Sequence, residues 1–394
     1  MRAVTRPGDG RAPASDGSAT VWRHDGRVLV AHGEAARIEL PDGLDGAAKL
    51  VAAFLADIDV DDTVGLPGCG PVAFGALPFD RTAPCHLIVP AQVRGWDASG
   101  VSWVTTIEAP VSRRDGRDGP QPDGFSLVSS RPQQHYVDAV AAGVEAIRAG
   151  RVRKVVLARE VVVEADRDIP VGTVLERLTA LYPSCMVFSI EGFVGASPEL
   201  LAARLGPLVR SHPLAGTTAR SGDPETDARR EAELRTSSKC REEHEYAVDD
   251  VVRGLREAGV DVDRPAGPSV LLLRNVIHLG TEISGHTAGP DPDALAIVER
   301  LHPTAAVGGT PREAAVELIA ELEHLDRGRY AGPVGWVDAM GNGEWAVGIR
   351  CADIDGTRAR LVAGSGIVAD SDPVAELTET QLKFQVLLAA VVRP

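Results

Sequence analysis

The chain has no CxxC pair, no apolar run near the 18 residues that a membrane-spanning helix needs, and no excess of positive charge. Its five cysteines, Cys69, Cys85, Cys185, Cys240 and Cys351, are scattered, and an odd number without pattern reads as free thiols in a reducing compartment. The nearest approach to an apolar span, QVLLAAVV at 385–392, is too short. With 56 acidic against 41 basic residues, the formal charge of −15 argues against nucleic acid or an anionic membrane as partners of a general basic surface. Any anionic small molecule must then be drawn in by a local cluster of metal, Arg and Lys. The opening segment, MRAVTRPGDGRAPASDGS, lacks the apolar core of a signal peptide. Residues 1–18 are expected to be a disordered leader, and the whole is expected to be a cytoplasmic monomer.

Other absences narrow the chemistry. GCGPVAFG at 68–75 has no following Lys-Ser/Thr pair and no helical pattern, so it reads as a turn and not as a phosphate loop. HExxH fails because Val248 stands where a second His is needed. No catalytic Ser–His–Asp motif, thiolate zinc set, heptad array or repeat of 20 to 50 residues is found.

What is present is an ordinary globular balance, 44% hydrophobic and 25% charged over 394 residues, enough to bury a substantial core. Short apolar runs alternate with Gly/Pro turns from Val21 to Ile107, around one helix at Gly46 to Ala56. The polar stretch 108–124 reads as a long surface connection. Beyond it, helices fit Gln133 to Ala149, Val171 to Tyr182, Pro224 to Ala258 as one long stretch, Pro292 to Arg300, and Arg312 to Leu325. Between them lie strand patterns, including RKVVLAREVVVEA and three strands in the segment 330–368, where GNG and DGT mark hairpins. Strands in runs, with helices between groups and not after each strand, give an α+β fold with extensive antiparallel sheet.

Several residues could carry chemistry. In the stretch SDPVAELTETQLK, Ser371 or Asp372 caps a helix and Pro373 suits its first turn. At about 100° per residue, Glu376, Glu379 and Lys383 fall on one face, either as a solvated stripe or as oxygen ligands and a cation for Mg²⁺ and a carboxylate. Lys154 shares a strand face with Val156 and Ala158; it either snorkels to water or is desolvated toward a general base. Glu199, in GASPELL, is either a solvated turn residue or a carboxyl raised toward a general acid. Glu242, Glu243 and Glu245 flank His244 as a charged face or a source of metal ligands. His278 and His302 read as structural histidines. Arg350, placed mid-strand between Ile349 and Cys351, wants an anion. GSG at 364–366 and LAGTT at 214–218 offer backbone donors to one.

Taken together, KVVLAR (154–159), GASPELL (195–201), PLAGT (213–217), KCREEH (239–244), VIHL (276–279), LHPTAAVGG (301–309), YAGPVGW (330–336), GIRCA (348–352), AGSGIV (363–368) and ELTETQLK (376–383) resemble the chorismate-utilising enzymes. That family includes isochorismate, salicylate, anthranilate and aminodeoxychorismate synthases. The motifs run in order over about 230 residues, while residues 1 to about 120 match weakly apart from FGALPFD at 74–80. The resemblance implies one catalytic domain over 19–394, more variable over 19–120 and motif-bearing over 125–394. Its fold would be two large, mainly antiparallel sheets facing each other with helices outside.

The resemblance also implies roles. Lys154 matches the base that activates water for attack on ring carbon 2, and Glu199 the acid that protonates the hydroxyl leaving ring carbon 4. Glu243 and Glu379 match Mg²⁺ ligands bridging to the ring carboxylate, and Glu376 would hold metal-bound water. Lys383, Gly216 and Thr217 match the site of that carboxylate. Arg350 and Tyr330, with Gly364, match the grip on the enolpyruvyl carboxylate. His278, Ala306 and Val307 would line the pocket near the ring. A base lysine points to water as nucleophile, and Ala215 replaces the nucleophilic lysine of aminodeoxychorismate synthases. The resemblance is therefore closest to isochorismate synthase, serving siderophore or menaquinone synthesis. The competing expectations are a salicylate synthase and a non-catalytic chorismate-binding protein. Two departures bear on the site: Cys240 stands where Asp or Glu is usual, weakening support around the metal, and Ala305 replaces the usual Pro, loosening the pocket.

Overall fold

The computed structural model describes residues 1–10, 17–108, 119–263 and 267–392. Two large sheets and one small one organise these residues. The larger sheet has 13 strands. It runs from an edge at Phe125–Val128 through Lys154–Ala165, Arg358–Ile367, Cys351–Asp355, Phe193–Ser197 and Met186–Ile190 to Thr20–His24, and ends on Arg2–Pro7 and Asp59–Asp62. The second has nine strands, centred on Leu200–Leu205, Gly343–Val347, Pro333–Asp338 and Val72–Ala76. Every pair in these sheets is antiparallel except Arg2–Pro7 on Asp59–Asp62.

The sheets face each other across the main core. Trp22, Leu29, Phe188 and Phe193 of the first pack with Phe74, Val334, Trp336 and Trp345 of the second, all fully buried or nearly so. Trp22 Nε1 donates to Glu344 Oε2 at 3.1 Å across the gap, so the indole brings its large apolar area inside without losing its one hydrogen bond. Truncating such a tryptophan typically costs about 3–5 kcal/mol. On the far side of the larger sheet, Val161, Val163, Val187 and Val194 pack against the helices Val171–Leu181 and Pro373–Val391. The α+β architecture with helices outside two facing sheets is the one expected. No helix among the described residues is long and apolar enough to cross a membrane.

Several expectations need correction. Residues 2–7 are not a disordered leader: Val4 and Thr5 are ladder-paired on both sides, to Asp61 and Asp62 and to Thr106 and Thr105, and their alternating burial inserts Ala3 and Thr5 into the core. Residues 11–16, the rest of that stretch, and 109–118 of the polar connection lie outside the described residues. The long helix expected from Pro224 to Ala258 is two, Pro224–Thr236 and Ser238–Glu257. Ser237 takes an extended backbone and its hydroxyl accepts from Cys240 N–H, restarting the helix in a new direction. Residues 330–368 form four strands and not three, and within GCGPVAFG only the opening is a turn, Val72–Ala76 being a strand. The other helices fall within two residues of their expected ends, the two-residue shifts being at the start of Ala294–Leu301, whose cap is Asp293, and at the end of Arg312–Glu323.

Candidate active site

One floor of the site comes from two neighbouring strands. Val156 lies opposite Gly366, and Ala158 opposite Gly364, in the antiparallel ladder between Lys154–Ala165 and Arg358–Ile367. Period-2 geometry puts Lys154 on the same face as Val156. The glycines opposite leave that face open: a Cβ at Gly366 would lie 2.1 Å from Glu243 Oε1 and 3.0 Å from Lys154 Cε. Lys154 is fully buried, so the snorkelling alternative fails. Its Nζ lies 3.4 Å from Glu243 Oε1, within ion-pair distance, yet makes no hydrogen bond. A buried nitrogen without a hydrogen-bond partner is costly unless another group arrives to meet it.

Above this floor is a cavity lined among others by Glu199, Thr217, Glu243, His278, Ala306, Val307, Tyr330, Arg350, Gly364 and Lys383. Glu199 is 4% exposed, and burial pushes its carboxyl up to about 7 despite the opposing pull of Lys154, the Leu214 amide, Arg350 and Lys383. At neutral pH it therefore holds a proton for part of the time.

Arg350 does not sit mid-strand as expected. It occupies the bend between Gly343–Val347 and Cys351–Asp355, with φ of 51°. A β-carbon is disfavoured in this left-handed region, and such strain concentrates where function over-determines the backbone. The bend buries the guanidinium at the cavity, where one N–H meets His278 Nε2 at 2.9 Å and Nε finds no partner. Tyr330, also buried, precedes a second left-handed residue, Ala331 at φ 62°. Thr217 pairs with His278 across the small sheet, and a register shift at Gly216, φ 76°, brings that strand against the helix Ser238–Glu257. A Cβ on Gly216 would lie 3.1 Å from that of Cys240.

The helices Ser238–Glu257 and Pro373–Val391 bring the expected metal carboxylates. Asp372 caps the latter, accepting from Val374 and Ala375 N–H, with Pro373 in its first turn. Lys383 Nζ lies 2.7 Å from Glu379 Oε1, and Lys239 Nζ 2.7 Å from Glu376 Oε1, so with Lys154 each carboxylate faces a lysine nitrogen. Among the described residues no three His, Cys, Asp or Glu side chains form a ready-made metal cage. The donor chemistry still fits a hard divalent cation. Every donor is a carboxylate oxygen, and burial followed by the nearby Glu379 raises Glu376, a concentration of negative charge that such a cation relieves. The remaining ligands would be substrate and water oxygens.

The structure thus gathers Glu199, Thr217, Glu243, His278, Ala306, Val307, Tyr330, Arg350, Gly364 and Lys383 on one cavity, with Lys154 behind Gly366 and Gly216 between two lining residues. Glu376 and Glu379 stand one step back, behind lysines. Cys240 lies beside Gly216, and burial pushes its thiol up. Sequence reading missed Lys239, one turn before Glu243. It also missed the buried pair Arg327–Glu323, which ties Val307 O and Val156 O to one guanidinium and the Ala158 N–H to one carboxylate.

A family model for chorismate binding enzymes matches residues 104–392. MenF of Mycobacterium tuberculosis is 38% identical over 339 residues, covering 82% of this chain and 87% of that protein. Isochorismate synthase DhbC of Bacillus subtilis is 35% identical over 332 residues, covering 82% and 81%. The crystal structure of DhbC from Bacillus anthracis superposes with a TM-score of 0.83 at 34% identity, over 96% of this chain and 98% of that one.

Proposed function

The chain belongs to the chorismate-binding enzymes, and from that premise we propose that it is an isochorismate synthase, moving the ring hydroxyl of chorismate from carbon 4 to carbon 2. One observation carries the reading. A buried carboxyl raised to about 7 lines the cavity, and a buried lysine whose Nζ has no hydrogen-bond partner lies directly behind the Glu243 and Gly366 of its wall. A base and an acid kept apart at one site are what a displacement of hydroxide by water requires.

In this reading Lys154 Nζ takes a proton from water as its oxygen bonds to carbon 2. The ring double bond shifts, and the carbon 4 oxygen leaves with the proton of Glu199. Lys154 then releases its proton to solvent and Glu199 takes one up, so the enzyme is unchanged. Arg350 and Tyr330 hold the enolpyruvyl carboxylate, and the unpartnered Arg350 Nε supplies a waiting donor. Lys383 and Thr217 receive the ring carboxylate. Mg²⁺ would be held by Glu243 and Glu379, with Glu376 on its water, and would supply charge neutralisation for that carboxylate. The cluster acts at short range, which is how a chain of charge −15 binds a dianion.

The test is a chromatogram of chorismate incubated with the purified protein, with Mg²⁺ and with chelator. A metal-dependent mixture of chorismate and isochorismate is expected. Salicylate with pyruvate would make the enzyme a lyase, and unchanged chorismate would overturn the catalytic reading.

A further inference from the structure

Asp250 lies seven residues after Glu243 on the helix Ser238–Glu257, hence on the same helical face. It is 8% exposed, and nothing in the chemistry above uses it. Its Oδ2 accepts the Ala305 N–H at 2.8 Å, Arg253 donates to its Oδ1, and Arg312 lies close enough to feel its charge. Ala305 is 1% exposed and directly precedes Ala306 and Val307, which line the cavity. The loop is held at its ends by other groups. Arg81 and Arg312 donate to His302 O, the His302 ring meets Phe79 O, and Arg327 donates to Val307 O. Among the described residues the Ala305 amide is the one tie from the middle of the loop to this helix.

We infer that Asp250 is a positioning residue: through the Ala305 N–H it fixes the Ala306–Val307 wall to the helix that carries Glu243. Proline at 305, the residue expected there, has no N–H and would leave the Asp250 carboxylate short of a donor. Alanine at this position therefore does not loosen the pocket. It supplies the donor for a charge-assisted bond inside the protein, which is stronger than one between neutral groups.

The catalytic part of this role rests on the isochorismate synthase reading; the hydrogen bond does not. The experiment therefore has two readouts, chorismate kinetics and hydrogen exchange at the Ala305 amide, applied to Asp250→Ala, Asp250→Asn, Ala305→Pro, Ala305→Gly and the Asp250→Ala/Ala305→Pro double variant. Asp250→Ala is expected to raise KM about tenfold with kcat nearly unchanged, by loss of one buried hydrogen bond to a charged group. Asp250→Asn, which still offers an oxygen, recovers most of the loss, and Ala305→Gly keeps the wild-type KM. Ala305→Pro reproduces Asp250→Ala, and the double variant is no worse than either. The amide exchanges slowly in the wild type and fast in Asp250→Ala. Additive losses, a lower KM in Ala305→Pro, or an amide indifferent to Asp250→Ala would each overturn the assignment. If Ala305→Pro does not fold, the Asp250 pair and the exchange rates decide alone. A wild type inert toward chorismate would sink the function but leave the exchange test standing.

Discussion

Arg350 donates to His278 Nε2 at 2.9 Å, and because a guanidinium has no acceptor, that nitrogen must carry the lone pair. The proton of the neutral ring then sits on Nδ1, which is 3.0 Å from Thr217 Oγ1. Burial, then Arg350 and Lys383, hold His278 well below the usual histidine range, so the ring stays neutral. The Thr217 oxygen accepts from it, and its own hydrogen is left to point into the cavity as a donor to a carboxylate. Thr217→Val should raise the chorismate KM about tenfold and Thr217→Ser should not, by the cost of a lost hydrogen bond to a charged group. Steady-state kinetics decide the matter, and equal KM values for the two variants would refute the relay.

Glu199 gives a pH prediction in two parts. Its carboxyl lies at about 7 in the folded chain against 4.5 in the open, so between these values the native state binds a proton that the unfolded state has lost. Stability is thus full below about 4.5 and declines as pH rises through about 7, a loss of roughly 3 kcal/mol from this group. Glu199→Gln should remove that decline, gaining on the wild type in urea titrations at pH 8 but not at pH 4.5. Turnover should also fall as pH rises through about 7, because the acid must carry its proton. A rate that stays flat to pH 9 would show that another group donates.

Lys154→Ala should lower turnover about 10³-fold, the range of a lost general base, while chorismate still binds. The anion contacts proposed for Arg350, Thr217 and Lys383 are untouched by the change. Calorimetry on the inactive variant checks this: a dissociation constant within a few-fold of wild type is expected, and lost binding would make Lys154 a substrate-binding group.

The fold was readable in the sequence because its strands are long, β-branched and bounded by turns, as in Lys154–Ala165. The candidate site was readable because its residues lie in ordered short motifs. Arg350 was misplaced because Ile349 and Cys351 on either side make a convincing strand, and no sequence pattern announces a left-handed arginine. The break at Ser237 lies within a long charged stretch that reads as one helix, although Thr236, Ser237 and Ser238 together offer the cap residues that mark it. Glu323 and Arg327 look like any solvated pair four apart, yet both are buried and satisfied in the fold. Asp250 likewise reads as one more acid on a charged helix until the loop carrying Ala305 is folded against it.

Gly366 separates the needs of the site from those of the fold. It sits opposite Val156 in the ladder with an ordinary backbone, so alanine there suits the strand and should shift stability by about 1 kcal/mol at most. The added methyl, however, would meet Glu243 Oε1 at 2.1 Å and Lys154 Cε at 3.0 Å. Both side chains would have to move off the floor, taking the base and one expected metal ligand with them. Misplacement by about 1 Å is enough to cost on the order of 100-fold in rate. Gly366→Ala should therefore unfold at nearly the wild-type urea midpoint and lose turnover by at least that factor. A variant that keeps its activity would mean that the reacting ring does not lie over Lys154 and Glu243.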